Sequence, residues 1–227
     1  MQKISVIITG VTGMIGEGLL YQCLNHDNIE KVLVITRKSS GYKHPKLTEI
    51  IQNNLSDISS LKDSLLDYNA CFYCIGSTSV GKSESQYTAD NYTLPLNFAT
   101  TLANINPDMT FCYISGVGTD STEKGRSMWA RVKGKTENDL MKLPFSAVYN
   151  FRPAGLIPFL SLKPTQTYYK TYKYTKWLMV PLKTIFPSYI MDLRILTTAL
   201  INVALKGYSK KIVEPKDFKI IVGKSTE

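Results

Sequence analysis

The chain has 227 residues, 44% of them hydrophobic, and its 27 Lys and Arg against 18 Asp and Glu give a formal net charge of +9. That length and apolar content can bury one sizeable core, and with no break in composition they predict a single unit over 1–227, with a nucleotide-binding core over 1–160 and a C-terminal elaboration over 161–227. The opening apolar run is too short for a signal peptide, and no later stretch approaches the roughly twenty apolar residues of a membrane span, so the expected setting is soluble and cytoplasmic.

Ile4 to Ile8 form a short apolar run that leads into Thr9-Gly10-Val11-Thr12-Gly13-Met14-Ile15-Gly16 and then a helix-like stretch, Glu17 to Leu24. A strand, a glycine-rich turn and a helix start make a phosphate cradle. Gly10 permits the tight turn, Gly13 lets the backbone approach a pyrophosphate, and Gly16 lets the helix pack close to the strand, with the free N–H groups of the helix start facing the anion. Gly10, Thr12, Gly13, Met14, Ile15 and Gly16 are therefore the expected contacts to a dinucleotide. The competing reading is a strand-to-helix turn without a ligand.

Lys31 to Thr36 is a second apolar, β-branched run. It ends in Thr36-Arg37-Lys38, where an NAD site usually places an acidic residue for the ribose hydroxyls. Arg37 reverses that charge and can pair with a 2′-phosphate, which favours NADP over NAD. Leu47 to Ile51 is a weaker third strand and Ala70 to Ile75 a fourth, followed by Cys74-Ile75-Gly76-Ser77-Thr78, a small flexible turn suited to running along a cofactor. Cys71-Phe72-Tyr73-Cys74 spells a redox or zinc spacing. Residues three apart on a strand point to opposite faces, however, and His26 and His44 have no ligand-like spacing, so buried structural thiols are expected and no metal site.

Helical periodicity runs from Glu84 to Asn104, Thr110 to Ser115 reads as a fifth strand, Ser127 to Lys142 as a helix and Phe145 to Phe151 as a sixth strand. This alternation predicts an α/β fold, a parallel, doubly wound sheet whose ligand lies beyond the carboxyl ends of the strands. Further on, Lys163 to Tyr189 is rich in Lys and aromatic residues and has no acidic residue. Such a segment serves either as a lid that buries its amphipathic stems on the core or as a surface for an anionic membrane or an acidic protein; no nucleic-acid-binding motif accompanies it. Met191 to Leu205 then has the apolar pattern of a helix packed on the sheet, and Glu214-Pro215 opens a final short segment.

The glycine-rich turn, the turn Cys74 to Thr78, the strand end Tyr113-Ile114-Ser115 and the segment Phe151-Arg152-Pro153-Ala154-Gly155-Leu156-Ile157 fall in the order seen in atypical and extended short-chain dehydrogenases/reductases. The resemblance spans roughly residues 1–160 and is to the branch with Tat-interacting-protein-type oxidoreductases and epimerase-like bacterial proteins. It implies a Rossmann fold, a nicotinamide cofactor and a small carbonyl substrate. It also implies site roles for Ser115 at the end of the fifth strand, for Asn91 facing the cofactor, for Pro153 bordering the nicotinamide and for Lys133 on the nicotinamide ribose.

The resembled family carries Tyr-x-x-x-Lys on the helix after that serine, whereas this chain reads Trp129-Ala130-Arg131-Val132-Lys133. Positions i and i+4 share a helix face, so Trp129 stands in the tyrosine position. An indole N–H only donates a hydrogen bond and cannot exchange a proton as a phenol does. The same spelling at Tyr42–Lys46 contains Pro45, which opposes a helix, and at Tyr169–Lys173 and Tyr172–Lys176 it falls after the sixth strand. Tyr113, Tyr87 and Tyr92 are the substitute acids to inspect. Two readings stay open: an NADP-dependent oxidoreductase using Ser115 and Lys133, and a non-catalytic NADP(H)-binding sensor or scaffold that presents its basic C-terminal region to a partner. Epimerase or dehydratase chemistry is also compatible with the resemblance, but it uses the same missing tyrosine as its base.

Overall fold

The computed structural model describes residues 3–160 and 190–223. The basic segment from Lys163 to Tyr189, with its two Tyr-x-x-x-Lys spellings, lies outside the described residues.

Continuous apolar runs make buried parallel strands, as expected where both faces of a sheet are covered. β1 (Ile4–Thr9), β2 (Ile29–Thr36), β3 (Leu47–Ile51), β4 (Ala70–Tyr73), β5 (Thr110–Ile114) and β6 (Ala147–Phe151) stand in the order β3-β2-β1-β4-β5-β6, every neighbouring pair parallel. This is the doubly wound arrangement anticipated from the sequence. Strand order reverses between β1 and β4, where Thr9 pairs with Tyr73, so the carboxyl ends of these two strands flank the crevice used for ligands in such sheets.

Two apolar layers cover the sheet. On one face, α1 (Met14–Leu24), α6 (Leu193–Lys206) and α7 (Pro215–Gly223) pack through Leu19, Leu20, Leu196, Leu200 and Phe218 onto Val6, Ile8 and Phe72. On the other, α2 (Lys62–Leu65), α4 (Leu94–Ile105) and α5 (Met128–Leu140) pack through Leu65, Phe98, Leu102 and Leu140 onto Ile7, Tyr73 and Phe111. Cys71 belongs to the second layer and Cys74 packs against the first, so the thiols of the Cys-x-x-Cys spelling do point to opposite faces. All four cysteines are free.

Three features differ from the sequence reading. The helix expected from Glu84 to Asn104 is broken into α3 (Glu84–Thr88), a π turn over Ala89–Thr93, and α4. Pro95 supplies the reason: it has no N–H to give the carbonyl four residues back, that of Asn91. The helix expected from Met191 begins at Leu193, because Asp192 caps it by accepting from the Arg194 N–H at 2.8 Å, and Ile190–Asp192 instead form β8, paired with β7 (Gly155–Ile157). Finally, β9 (Ile212–Val213) joins the main sheet beside β6 as its seventh strand. These strands have two or three residues each, too short for any periodicity to register. With β9 in the sheet and α6 against α1, the described C-terminal residues form part of the same layered core. Among the described residues, no helix is long and apolar enough to cross a membrane.

Candidate cofactor and active site

The turn after β1 is built around glycine. Gly10 has φ of +71°, and a Cβ there would lie 2.6 Å from the Cys74 carbonyl oxygen, so the β1 and β4 loops touch through its missing side chain. The Gly13 N–H donates to the Gly10 carbonyl at 2.9 Å, and a Cβ on Gly16 would overlap that same carbonyl. Gly13 caps α1 without any side-chain hydrogen bond, leaving the first-turn amides to an external acceptor, with Thr12 exposed and Met14 and Ile15 half-buried beside them. A tight turn into an uncapped eleven-residue helix fits a pyrophosphate. Tyr42, in the loop after β2, is hydrogen-bonded to Glu17, and burial, then that carboxylate, pushes its phenol up. No helix forms around it, so Tyr42 and Lys46 do not share a helix face.

Arg37 is exposed just past β2. Beyond β4, Gly76, Ser77 and Thr78 run along the crevice, pinned to the π turn. The Asn91 side chain accepts from the Ser77 N–H at 3.2 Å and donates to Ser77 Oγ at 2.9 Å, and Ser77 Oγ donates to Asp90 at 3.1 Å. Lys82 closes an ion pair on Asp90. Its hydrogen bond, then that of Ser77 and the charge of Arg37, hold the Asp90 carboxyl below the usual range.

Lys133 on α5 reaches this turn from beneath. Its Nζ would lie 3.6 Å from a Cβ on Gly76, with Asn91 Oδ1 3.7 Å from the same point. Four predicted residues, Gly76, Ser77, Asn91 and Lys133, thus meet at one place. Lys133 donates to Tyr113 Oη at 2.9 Å and to the Ile114 carbonyl at 3.3 Å. Burial lowers its pKa to about 8, against the opposing charge of Glu137. Since the unfolded chain titrates near the ordinary 10.5, it holds the extra proton between these values; the penalty of burying the charge is fully present below pH 8 and fades as pH rises toward 10.5. Lys133→Met is accordingly expected to be more stable than the natural protein at pH 7 by about 2 kcal/mol after its lost hydrogen bonds are counted, with the margin closing at alkaline pH. Urea midpoints across that pH range check this.

Trp129 stands one turn before Lys133, half-buried, its indole ring 3.4 Å from where a Cβ on Gly118 would sit. The tryptophan therefore lies against the lip that follows β5. Of the substitute acids, Tyr92 donates to Asp139 at 2.9 Å with Lys135 over its ring, on the outer side of α5, and Tyr87 is buried in α3. Tyr113 lies behind Lys133, wholly buried.

Ser115 turns its hydroxyl inward, donating to Glu137 at 2.5 Å and to the Phe151 carbonyl at 3.2 Å. Glu137, fully buried, also accepts from Arg152 Nε at 3.0 Å and Nη2 at 2.5 Å, while Arg152 reaches Ser121 and Glu214. The Pro153 carbonyl accepts from the Val117 N–H at 2.9 Å and ties the β5 and β6 loops together. Glu137 and its role were missed in the sequence, although it sits one turn beyond Lys133 on the face that carries Trp129 and Lys133.

Comparison with known proteins agrees with this geometry. The sequence profile of the NAD dependent epimerase/dehydratase family matches residues 6–127, from β1 to just before Trp129. The chain is 28% identical over 142 residues to leucinostatins biosynthesis cluster protein T of Purpureocillium lilacinum, covering 61% of this chain and 51% of that protein. It is 27% identical over 159 residues to the protein FMP52, mitochondrial, of Candida glabrata, covering 69% of this chain and 66% of that one. The matches thus span about half to two thirds of those relatives. Among solved structures, UDP-N-acetylglucosamine 4-epimerase from Methanobrevibacter ruminantium superposes with a TM-score of 0.67 at 17% identity, covering 100% of this chain and 84% of that one. The Bordetella bronchiseptica enzyme WbmG in complex with NAD gives 0.63 at 14% identity, covering 100% and 79%. With its glycine turn, its strand order and more than half of its length matched, the chain belongs to the NAD dependent epimerase/dehydratase family and has the Rossmann fold of short-chain dehydrogenases/reductases.

Proposed function

We propose that this protein is an NADP(H)-preferring oxidoreductase acting on a small carbonyl compound, with Trp129 in the place of the family's tyrosine. The convergence of the uncapped start of α1, the Gly76 turn and the Lys133 ammonium at the carboxyl ends of β1 and β4 carries this reading. Gly10 to Gly16 hold the pyrophosphate, Arg37 the 2′-phosphate, Gly76 to Thr78 the ribose side, and Lys133 the nicotinamide ribose. When bound, the nicotinamide supplies two-electron transfer. Trp129 and the Gly116–Gly118 lip shape the substrate mouth. Lys133 is the nearest group able to give up a proton, since the indole only donates a hydrogen bond and the Ser115 hydroxyl is already committed to Glu137. A cytoplasmic setting belongs to this proposal, whereas the FMP52 relative is named as mitochondrial, and cell fractionation separates the two.

Titration with NADPH and NADH, followed by cofactor fluorescence, tests the reading. Arg37→Asp is expected to weaken NADPH by roughly 10- to 100-fold while leaving NADH nearly unchanged, because a charge-assisted bidentate contact is lost for one nucleotide only. Binding of neither nucleotide by the natural protein overturns the proposal. The indole at the tyrosine position favours a second reading, a non-catalytic NADP(H)-binding protein. Tight NADPH binding with equal, null turnover of a carbonyl panel by the natural protein and by Lys133→Ala would select it.

A further inference from the structure

Lys133 is held by a group that the helix itself does not provide. Tyr113, on the inner strand β5, is 0% exposed and places its Oη 2.9 Å from Lys133 Nζ; the ammonium also lies 4.8 Å from the centroid of the same ring. The phenol hydrogen is donated in turn to the Asn91 carbonyl at 3.2 Å. Pro95 has no N–H to donate to that carbonyl, which also receives Thr136 Oγ1 of α5 at 2.8 Å, a hydroxyl whose hydrogen is shared with the Val132 carbonyl at 2.7 Å. Three elements, β5, α5 and the π turn, are thereby tied at one backbone oxygen.

We propose that Tyr113 is a positioning residue of the nucleotide site: its phenol, anchored on the Asn91 carbonyl, to which Pro95 has no N–H to give, holds Lys133 Nζ at the crevice beside Gly76. The phenol is wholly buried and acts through Lys133, without touching a ligand. With Tyr113 Oη and the Ile114 carbonyl taking two of the ammonium hydrogens, one remains for a ligand hydroxyl. The inference rests on the reading of Lys133 as a cofactor-site residue. The titratable and charged groups around the pair are Glu137 on α5, Tyr73 on β4 and Tyr87 on α3, with Asp90 of the π turn beyond Tyr73. Burial pushes the Tyr113 phenol well above its ordinary value, so it stays a neutral acceptor for the ammonium throughout the titration of Lys133.

The test compares the natural protein with Tyr113→Phe and Thr136→Val. Phenylalanine keeps the ring and removes only the hydroxyl; valine removes the Thr136 hydroxyl that bonds Asn91, Val132 and the Tyr113 phenol while leaving the Tyr113–Lys133 hydrogen bond in place. NMR titration of labelled lysine Cε, without nucleotide, reads Lys133 directly. In Tyr113→Phe the Lys133 midpoint is expected to fall by about one pH unit, the tenfold loss of a hydrogen bond that favours the charged form, and in Thr136→Val to move by less than about 0.3 unit. NADPH affinity at pH 7 should fall roughly tenfold in Tyr113→Phe alone. An unmoved midpoint in Tyr113→Phe, or equal shifts in both variants, overturns the proposal. If the midpoint moves as stated but the natural protein binds no NADPH, the hold on Lys133 stands and the cofactor reading is what fails.

Discussion

Glu137→Ala is expected to destabilise the protein by about 3–5 kcal/mol, the usual cost of leaving one member of a buried ion pair without its partner. Glu137 is 0% exposed and Arg152 8%, and the carboxylate takes two hydrogen bonds from the guanidinium as well as the Ser115 hydroxyl. With the carboxylate removed, Arg152 retains Glu214 at 3.3 Å and Ser121 at 2.6 Å, neither of which lies on α5. Ser115 loses its shorter hydrogen bond at the same time and keeps only the Phe151 carbonyl as acceptor. Glu137→Gln keeps an acceptor for Ser115 and Arg152 Nε and should lose less than the alanine variant. Urea unfolding of the three proteins provides the check: a loss below about 1 kcal/mol for Glu137→Ala would mean that the buried pair does not form as described.

Gly134→Ala should cost about 3 kcal/mol or more for a different reason. Gly134 follows Lys133 on α5, and a Cβ there would fall on the Asp120 backbone carbonyl, far inside van der Waals contact. The loop cannot easily withdraw. Asp120 N–H donates to the Ala130 carbonyl, and the Asp120 carboxylate accepts from Thr122 N–H, Thr122 Oγ1 and Gly125 N–H, with Glu123 at a positive φ of 62° between them. Either α5 moves away, taking Lys133 with it, or this loop breaks. Gly223→Ala, at the end of α7, where an added Cβ would meet nothing within 4 Å, is the control and should be neutral or slightly stabilising. Thermal unfolding of the two variants side by side separates steric conflict from a general response to alanine.

The parallel sheet was legible because its strands are continuous apolar runs, and β3 was placed at Leu47–Ile51, the bounds seen in the structure. The glycine turn was legible because its chemistry is local: each glycine answers to a backbone within a few residues, or to the neighbouring strand. What escaped was set by pairs far apart in sequence. Glu137 meets Arg152 across fifteen residues, and the inward turn of Ser115 follows from that pair, so the hydroxyl expected to face a substrate instead donates to a buried carboxylate. The strands β7, β8 and β9 owe their existence to partners rather than to pattern. The π turn did have a local signal, Pro95 four residues after Asn91, which an unbroken helix from Glu84 to Asn104 ignores.

The pairing of β9 with β6 bears on when the protein acquires its finished form. Synthesis proceeds from the N-terminus, and the strands around the β1–β4 crevice are all made before residue 115, yet Arg152 meets Glu214 across 62 positions and its own N–H donates to the carbonyl of Val213. The strands β1 to β5 can thus pair early, while both the outer face of α1, which packs on α6, and the charged cluster behind Ser115 wait for residues made later. Until they emerge, Arg152 and Glu137 have each other, Ser115 and Ser121 but neither Glu214 nor the Val213 carbonyl, so the cluster one turn beyond Lys133 is completed only with the C-terminal residues.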